Sequence, residues 1–214
     1  MISVHGVSKR FRTKKGFKTV LDKVSIDFPR GTNVGILGRN GAGKTVLLKI
    51  ISGVDRPDSG MVERISSVSW PVGSGGLQGS LTGKANMRFV ARLYGLDIQE
   101  VTNYVLEFTE LGDYLDMPVS TYSSGMKGKL NFALSMAVKF DYYLIDEATA
   151  KGDTSFQKKS KAEFEKLKGK SNLIMVSHNP GNIKQHCDTA AILHNGRLTC
   201  YDNVSDAIKA YSRL

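Results

Sequence analysis

The sequence predicts an α/β chain with a β-rich lobe at its start and a helical subdomain in its middle. Three observations carry that prediction. Apolar and polar side chains alternate through the first thirty residues, a short apolar run stops at a glycine-rich turn that opens a helical pattern, and two later apolar runs each end directly in polar residues. At 214 residues the chain holds one substantial domain with a full core, or a core domain with a small appended lobe.

Each element follows from its own pattern. Ile2 and Val4, then Val24, Ile26 and Phe28, recur at the period of half-buried antiparallel strands. Asn33 to Leu37 is a short apolar run; past the glycine-rich turn, Leu47, Leu48, Ile50 and Ile51 keep helical spacing until Gly53, which gives strand, loop and helix. From about Gly75 to Lys139 the pattern is helical, with Val101, Tyr104, Val105, Phe108 and Leu111 on one face and Leu130, Ala133, Leu134, Ala137 and Val138 on another. Tyr142 to Ile145 and Leu173 to Val176 read as buried strands, and the ends of such strands are where α/β sheets place chemistry. There is no internal repeat and no low-complexity linker.

Composition narrows the classes. A 41% hydrophobic and 23% charged chain is ordinary for a globular protein, which excludes wholesale disorder and fibrous architectures. The best membrane-span candidate, Leu130 to Phe140, contains Asn131 and Lys139 and falls short of the roughly 18 to 20 apolar residues a spanning helix needs, so no transmembrane helix is expected. No charged-then-apolar signal segment opens the chain. Cys187 and Cys200 have neither metal-ligand nor redox spacing, which fits a reducing cytoplasm with both thiols packed in structure. The net charge of +10 leaves nucleic acid and an anionic membrane surface both open as partners. Much of the excess lies in Lys9 to Lys18 and Lys158 to Lys170, whose plainest reading is a loop and a solvated helix face.

The strongest chemical signal is Gly38-Arg39-Asn40-Gly41-Ala42-Gly43-Lys44-Thr45 between a predicted strand and a predicted helix, the context that confirms a phosphate loop. Glycines let successive N–H groups converge on an anion, the helix N-terminus adds its positive end, Lys44 supplies a mobile cation, and the Thr45 hydroxyl is suited to magnesium. Asp146 closes the run Tyr142-Tyr143-Leu144-Ile145 and is the carboxylate such a metal wants; Glu147 beside it is placed to polarise a water for attack on a γ-phosphate. Read alone, this pair is also an ordinary acidic surface after a strand. His178 follows the run Leu173 to Val176 through Ser177 and shares the sheet edge of Lys44, Asp146 and Glu147, a placement that His5, His186 and His194 lack in the sequence reading. Ser123-Ser124-Gly125-Met126 precedes an amphipathic helix expected to begin near Lys127 and forms a helix-cap anion site, which by itself is only a good cap.

The order of these motifs (phosphate loop, helical insertion, serine-glycine segment, strand with Asp-Glu, strand with histidine) resembles the nucleotide-binding domain of ABC transporters over nearly the whole chain. The resemblance implies a single domain, residues 1–214, with the P-loop NTPase fold: a mixed core sheet, an antiparallel β lobe and a helical subdomain inserted at about residues 76–139. It implies that Gly38 to Thr45 is Walker A, that Ser123, Ser124 and Gly125 belong to the signature loop led by Tyr122, and that Asp146 ends Walker B. Glu147 is then the catalytic base, His178 the switch histidine and Asp153 the D-loop aspartate. Phe11 falls at the aromatic position that stacks on adenine, against the plainer reading of a core phenylalanine. Several positions depart from the family's pattern: Ser124 and Met126 replace the signature glycine and glutamine, Ala148 replaces a proline, and Lys151-Gly152 replaces the usual D-loop pair. The usual Q-loop position falls near Gly73, which leaves Gln78 as the glutamine for the metal and coupling role.

Within the family, Ser69 to Gly73, Leu77 to Gly83, Thr121 to Met126 and Phe140 to Glu147 resemble the ATPase subunits of bacterial capsular-polysaccharide exporters. That resemblance implies ATP and Mg2+ as ligands, a homodimer, integral-membrane permease subunits and other capsule-export proteins as partners, no specific nucleic acid, and a peripheral place on the cytoplasmic face of the inner membrane. The alternatives are an exporter of O-antigen or teichoic acid type, or a soluble ABC ATPase acting on nucleic acid or ribosomes.

Overall fold

In a computed structural model of the chain, every residue is described except 15, 73–75, 147–153 and 168 and the side chain of Thr154. The chain runs β1 (Ile2–Thr13), β2 (Gly16–Phe28), β3 (Val34–Leu37), α1 (Lys44–Ser52) and β4 (Ser59–Arg64), then α2 (Gly83–Leu93), α3 (Ile98–Thr109) and α4 (Ser124–Ala137). It continues through β5 (Tyr142–Asp146), α5 (Thr154–Leu167), β6 (Asn172–Ser177), α6 (Pro180–His186), β7 (Thr189–His194), β8 (Arg197–Tyr201) and α7 (Val204–Tyr211). The helices α2 to α5 form one compact unit, and the strands with α1, α6 and α7 form the other.

The strand-bearing unit holds two sheets. One is antiparallel, in the order β2-β1-β4; the other has the order β5-β6-β3-β7-β8, parallel except for β8. Strands β3 and β5 are buried at every residue, which is why they read as continuous apolar runs and not as alternation. Leu47, Leu48, Ile50 and Ile51 of α1 are fully buried in the core that both sheets share, each contributing about 2 kcal/mol. Helix α1 ends where Gly53 turns left-handed, at φ 81°. Its last carbonyls, of Ile50 and Ile51, accept from the Arg64 guanidinium at 2.6 Å each, so a cation faces the negative end of the helix whose other end is the phosphate loop. Burial holds that guanidinium below its usual pKa.

In the helical unit, Thr82 caps α2 by accepting from the Ala85 N–H at 3.1 Å, and Asp97 caps α3 by accepting from Glu100 at 2.9 Å. Its core is aromatic: the Phe108 and Phe132 rings stack with centroids 5.4 Å apart, and Phe164 meets Phe132 edge-on at 5.3 Å. Helix α4 departs from the amphipathic expectation. Leu130 to Ser135 are six consecutive buried residues, so this stretch is enclosed all round.

Two further expectations are corrected. The segment 9–18 is not a loop: residues 9–13 are the end of β1 and residues 16–18 the start of β2. The second basic segment does lie largely on a helix, with Lys158, Lys161 and Lys166 exposed on α5. Only one thiol is packed. Cys187 sits beside Gly35, and burial pushes its pKa up to about 12; Cys200 is exposed on β8.

Candidate nucleotide site

Register places the site. Asp146 of β5 pairs with Val176 of β6, and Leu37 of β3 pairs with both Ser177 of β6 and Ile192 of β7. Because these strands are parallel, Asp146, His178 and Gly38 all leave the sheet at one carboxyl edge, where an open α/β sheet presents its ligands. The Gly38 N–H donates to the Ser177 carbonyl at 3.3 Å, tying the start of the loop to the strand that precedes His178.

The loop needs its glycines for steric reasons. A Cβ on Gly38 would lie 2.8 Å from the Leu193 carbonyl oxygen, and one on Gly43 would lie 2.7 Å from Val20 Cγ1. Gly41 and Gly43 also adopt φ of 80° and 103°, in the left-handed region. Between Gly38 and Gly43, the Arg39 carbonyl closes a turn by accepting from the Ala42 N–H at 3.1 Å, with exposed Asn40 inside the turn. Gly43 leaves the start of α1 without a side-chain cap, and the first turn carries no acid, so the positive helix end stays available to an anion. Lys44 arcs back over the turn and donates to the carbonyls of Gly38 at 2.7 Å and Arg39 at 3.1 Å. Its ammonium is thus held over the cradle that the loop encloses.

Thr45 and Asp146, 101 residues apart in sequence, meet: the hydroxyl donates to Asp146 Oδ2 at 2.7 Å, and Asp146 is only 7% exposed. Two hard oxygens at this separation approximate a cis edge of a magnesium octahedron, roughly 3 Å for metal–oxygen bonds of about 2.1 Å. Among the described residues no three of His, Cys, Asp and Glu are grouped as a metal cage. The pair therefore suits a magnesium ion whose remaining ligands are phosphate and water, as is usual for that ion.

His178 is exposed just past β6. Ser177 sets the turn that presents it, accepting from the Asn179 N–H at 2.8 Å, while Asn179 caps α6 through the Gly181 N–H at 2.8 Å. His194 ends β7 at the same edge, a position the sequence reading did not give it. The missed signal was the apolar run Ala190 to Leu193 ending in a polar residue, the same pattern that located Asp146 and His178. Phe11 is not a core residue. It is 41% exposed on β1, with the Lys9 ammonium 5.6 Å from its ring centroid.

The remaining candidates lie in the helical unit. Ser123 accepts from the Met126 N–H at 3.2 Å, so α4 begins at Ser124, three residues before the expected Lys127. Gly125 has open space: a Cβ there would meet nothing nearer than Ser123 Oγ at 3.9 Å. Tyr122 is buried and donates to the Tyr114 carbonyl at 2.5 Å, anchoring the segment from behind, and burial raises its pKa. Gln78 is exposed; its amide donates to Ser80 Oγ at 3.4 Å, and its backbone is held at both ends by buried Asn86. Glu147, Asp153 and Gly73 lie outside the described residues.

The profile of the ABC transporter family matches residues 21–150. The chain is 51% identical to the polysialic acid transport ATP-binding protein KpsT of Escherichia coli, over 100% of this chain and 99% of that protein. It is 50% identical to the ATP-binding protein BexA of Haemophilus influenzae, over 99% and 98%, and 50% identical to the capsule polysaccharide export ATP-binding protein CtrD of Neisseria meningitidis, over 100% of both. Among solved structures, a dimeric ATP-binding cassette in a post-hydrolysis state bound to ADP and phosphate shares the fold with a TM-score of 0.77 at 19% identity, covering 92% of this chain and 96% of that one.

Proposed function

The chain belongs to the ABC transporter family, and from that premise we propose that it is the ATP-hydrolysing subunit of a capsular-polysaccharide exporter. Full-length relatives at about half identity, two of them named for polysialic acid transport and capsule polysaccharide export, support this cargo over the teichoic acid and O-antigen alternatives. The observation that carries the nucleotide chemistry is the 2.7 Å contact of Thr45 Oγ1 with Asp146 Oδ2 at the foot of the Gly38–Lys44 cradle.

The residues divide the work as follows. The N–H groups of residues 39–45 and the start of α1 receive the β- and γ-phosphates, and Lys44 exchanges two loop carbonyls for phosphate oxygens. Thr45 and Asp146 would hold magnesium, which when bound would neutralise charge developing on the phosphates. Glu147 orients the attacking water and takes its proton, His178 donates to the γ-phosphate, and Phe11 offers an exposed ring to adenine. Ser123, Ser124 and Gly125 of a second copy close over the nucleotide, so each site draws on two chains. Gln78 contributes to the metal and to coupling.

The exporter is completed by a second copy of this chain, integral-membrane permease subunits and other capsule-export proteins, with no specific nucleic acid. Among the described residues no helix is long and apolar enough to cross a membrane, and a peripheral place on the cytoplasmic face of the inner membrane follows from the partner assignment. A phosphate-release assay tests the reading. Glu147→Gln retains ATP binding while hydrolysis falls by about 10²- to 10⁴-fold; undiminished hydrolysis removes Glu147 from its role, and no hydrolysis by the unaltered chain with magnesium and ATP removes the motor.

A further inference from the structure

Strand β4 pairs with β1 only from Ile2 to Ser8, so beyond Ser8 the strands β1 and β2 continue as a two-stranded ribbon. Every described residue from 10 to 19 is exposed. A hairpin with solvent on both faces gains little from its own packing. Here it is pinned at its base: Lys9 bonds Asp55 at 2.8 Å and the Arg56 carbonyl at 2.6 Å, and the Arg10 N–H donates to Asp58 at 2.8 Å. No acidic residue occurs from Lys9 to Leu21.

The ribbon carries an aromatic side chain that the fold does not use. Phe17 is 66% exposed, pairs across the ribbon with Arg12, and has the Arg10 guanidinium 4.8 Å above its ring. A solvated charge run accounts for the cations but not for an uncovered phenylalanine among them. Cations beside an outward apolar group are the composition of an interfacial anchor, in which basic groups hold headgroup phosphates and the apolar group enters the boundary layer. Nucleic acid is the weaker fit, because single strands stack bases on open aromatic faces, and one face of Phe17 is taken by Arg10.

We propose that the ribbon's Arg10, Arg12, Lys14 and Phe17 form a contact for anionic phospholipid headgroups, holding this chain to the membrane surface independently of any permease. The proposal rests on the membrane-peripheral reading above.

The experiment is co-sedimentation of the purified full chain, without permease, with vesicles of phosphatidylcholine alone or mixed with phosphatidylglycerol. Binding is expected only to the anionic vesicles and is expected to weaken from about 0.1 M to about 0.5 M salt. The R10E/R12E variant should lower the bound partition on the order of tenfold or more, and Phe17→Ser should lower it less. The K158E/K161E variant, with the same change in net charge on exposed positions of α5, should bind as the parent does. Unchanged melting curves and ATP-analogue binding show that the ribbon variants are folded and keep the nucleotide site. Equal loss in K158E/K161E, equal binding to neutral vesicles, no binding to anionic vesicles, or tighter binding of single-stranded RNA than of anionic vesicles would each overturn the proposal. A chain that binds no lipid but hydrolyses ATP refutes only the ribbon; one that binds lipid but never hydrolyses ATP refutes only the motor.

Discussion

The two glycine-and-hydroxyl turns of this protein, Gly38–Thr45 and Ser123–Gly125, both sit at helix starts and both suit anions, yet they are constrained by different things. In the first, a methyl group on Gly38 or Gly43 collides with Leu193 or Val20, two glycines are left-handed, and Lys44 and Thr45 are already bonded within the chain. In the second, a methyl on Gly125 meets open space, and Ser123 caps α4 by accepting from the Met126 N–H. The fold itself demands the first sequence, whereas the second is free to answer to something outside the chain. Ser124 and Met126, which depart from the usual signature, are accommodated in the first turn of α4.

Substitutions sharpen that contrast. Gly43→Ala has the largest expected effect on folding, about 1 to 3 kcal/mol from strain and contact with Val20, read as a fall of several degrees in melting temperature. Gly125→Ala should hold or raise the melting temperature, because alanine favours the first turn of α4. A Gly43→Ala chain that melts like the parent would break the comparison at its first limb. Thr45→Val comes next: it removes one hydrogen bond from buried Asp146 at a cost of about 1 to 3 kcal/mol. It should also raise the magnesium concentration that half-saturates hydrolysis, and Thr45→Ser should restore both readouts. Ser123→Ala is smallest on stability, about 1 kcal/mol of lost cap measured by thermal melting.

The phosphate loop was legible because its steric demands are local, each glycine answering to a neighbour that any sequence with this turn must meet. The metal carboxylate and the histidine were legible because an apolar run that stops at a polar residue marks a strand end. The same pattern stands at His194, where the apolar run Ala190 to Leu193 ends in a histidine. Its hairpin follows from the dipeptide Asn-Gly: Asn195 and Gly196, at φ 49° and 79°, form the left-handed pair that joins β7 to β8. The start of α4 was placed late because Ser124 and Gly125 look like loop residues, and only the Ser123 cap reveals that they are already helical. Residues 9–18 read as a loop because charge hid the strand pairing; Phe11 and Phe17 stand outward there, so no apolar alternation marks the ribbon.

The central claim, that each nucleotide is held by the loop of one chain and the serine-glycine turn of another, is tested by mixing two inactive variants. Lys44→Ala removes the cation from the first turn. Gly125→Asp puts a carboxylate at the start of α4, which the helix dipole welcomes and an anionic nucleotide does not. Neither variant alone should release phosphate from ATP, and their mixture should recover hydrolysis, because a mixed dimer contains one site with both turns intact. A mixture as inactive as its components, with mixed dimers demonstrably formed, would contradict the account.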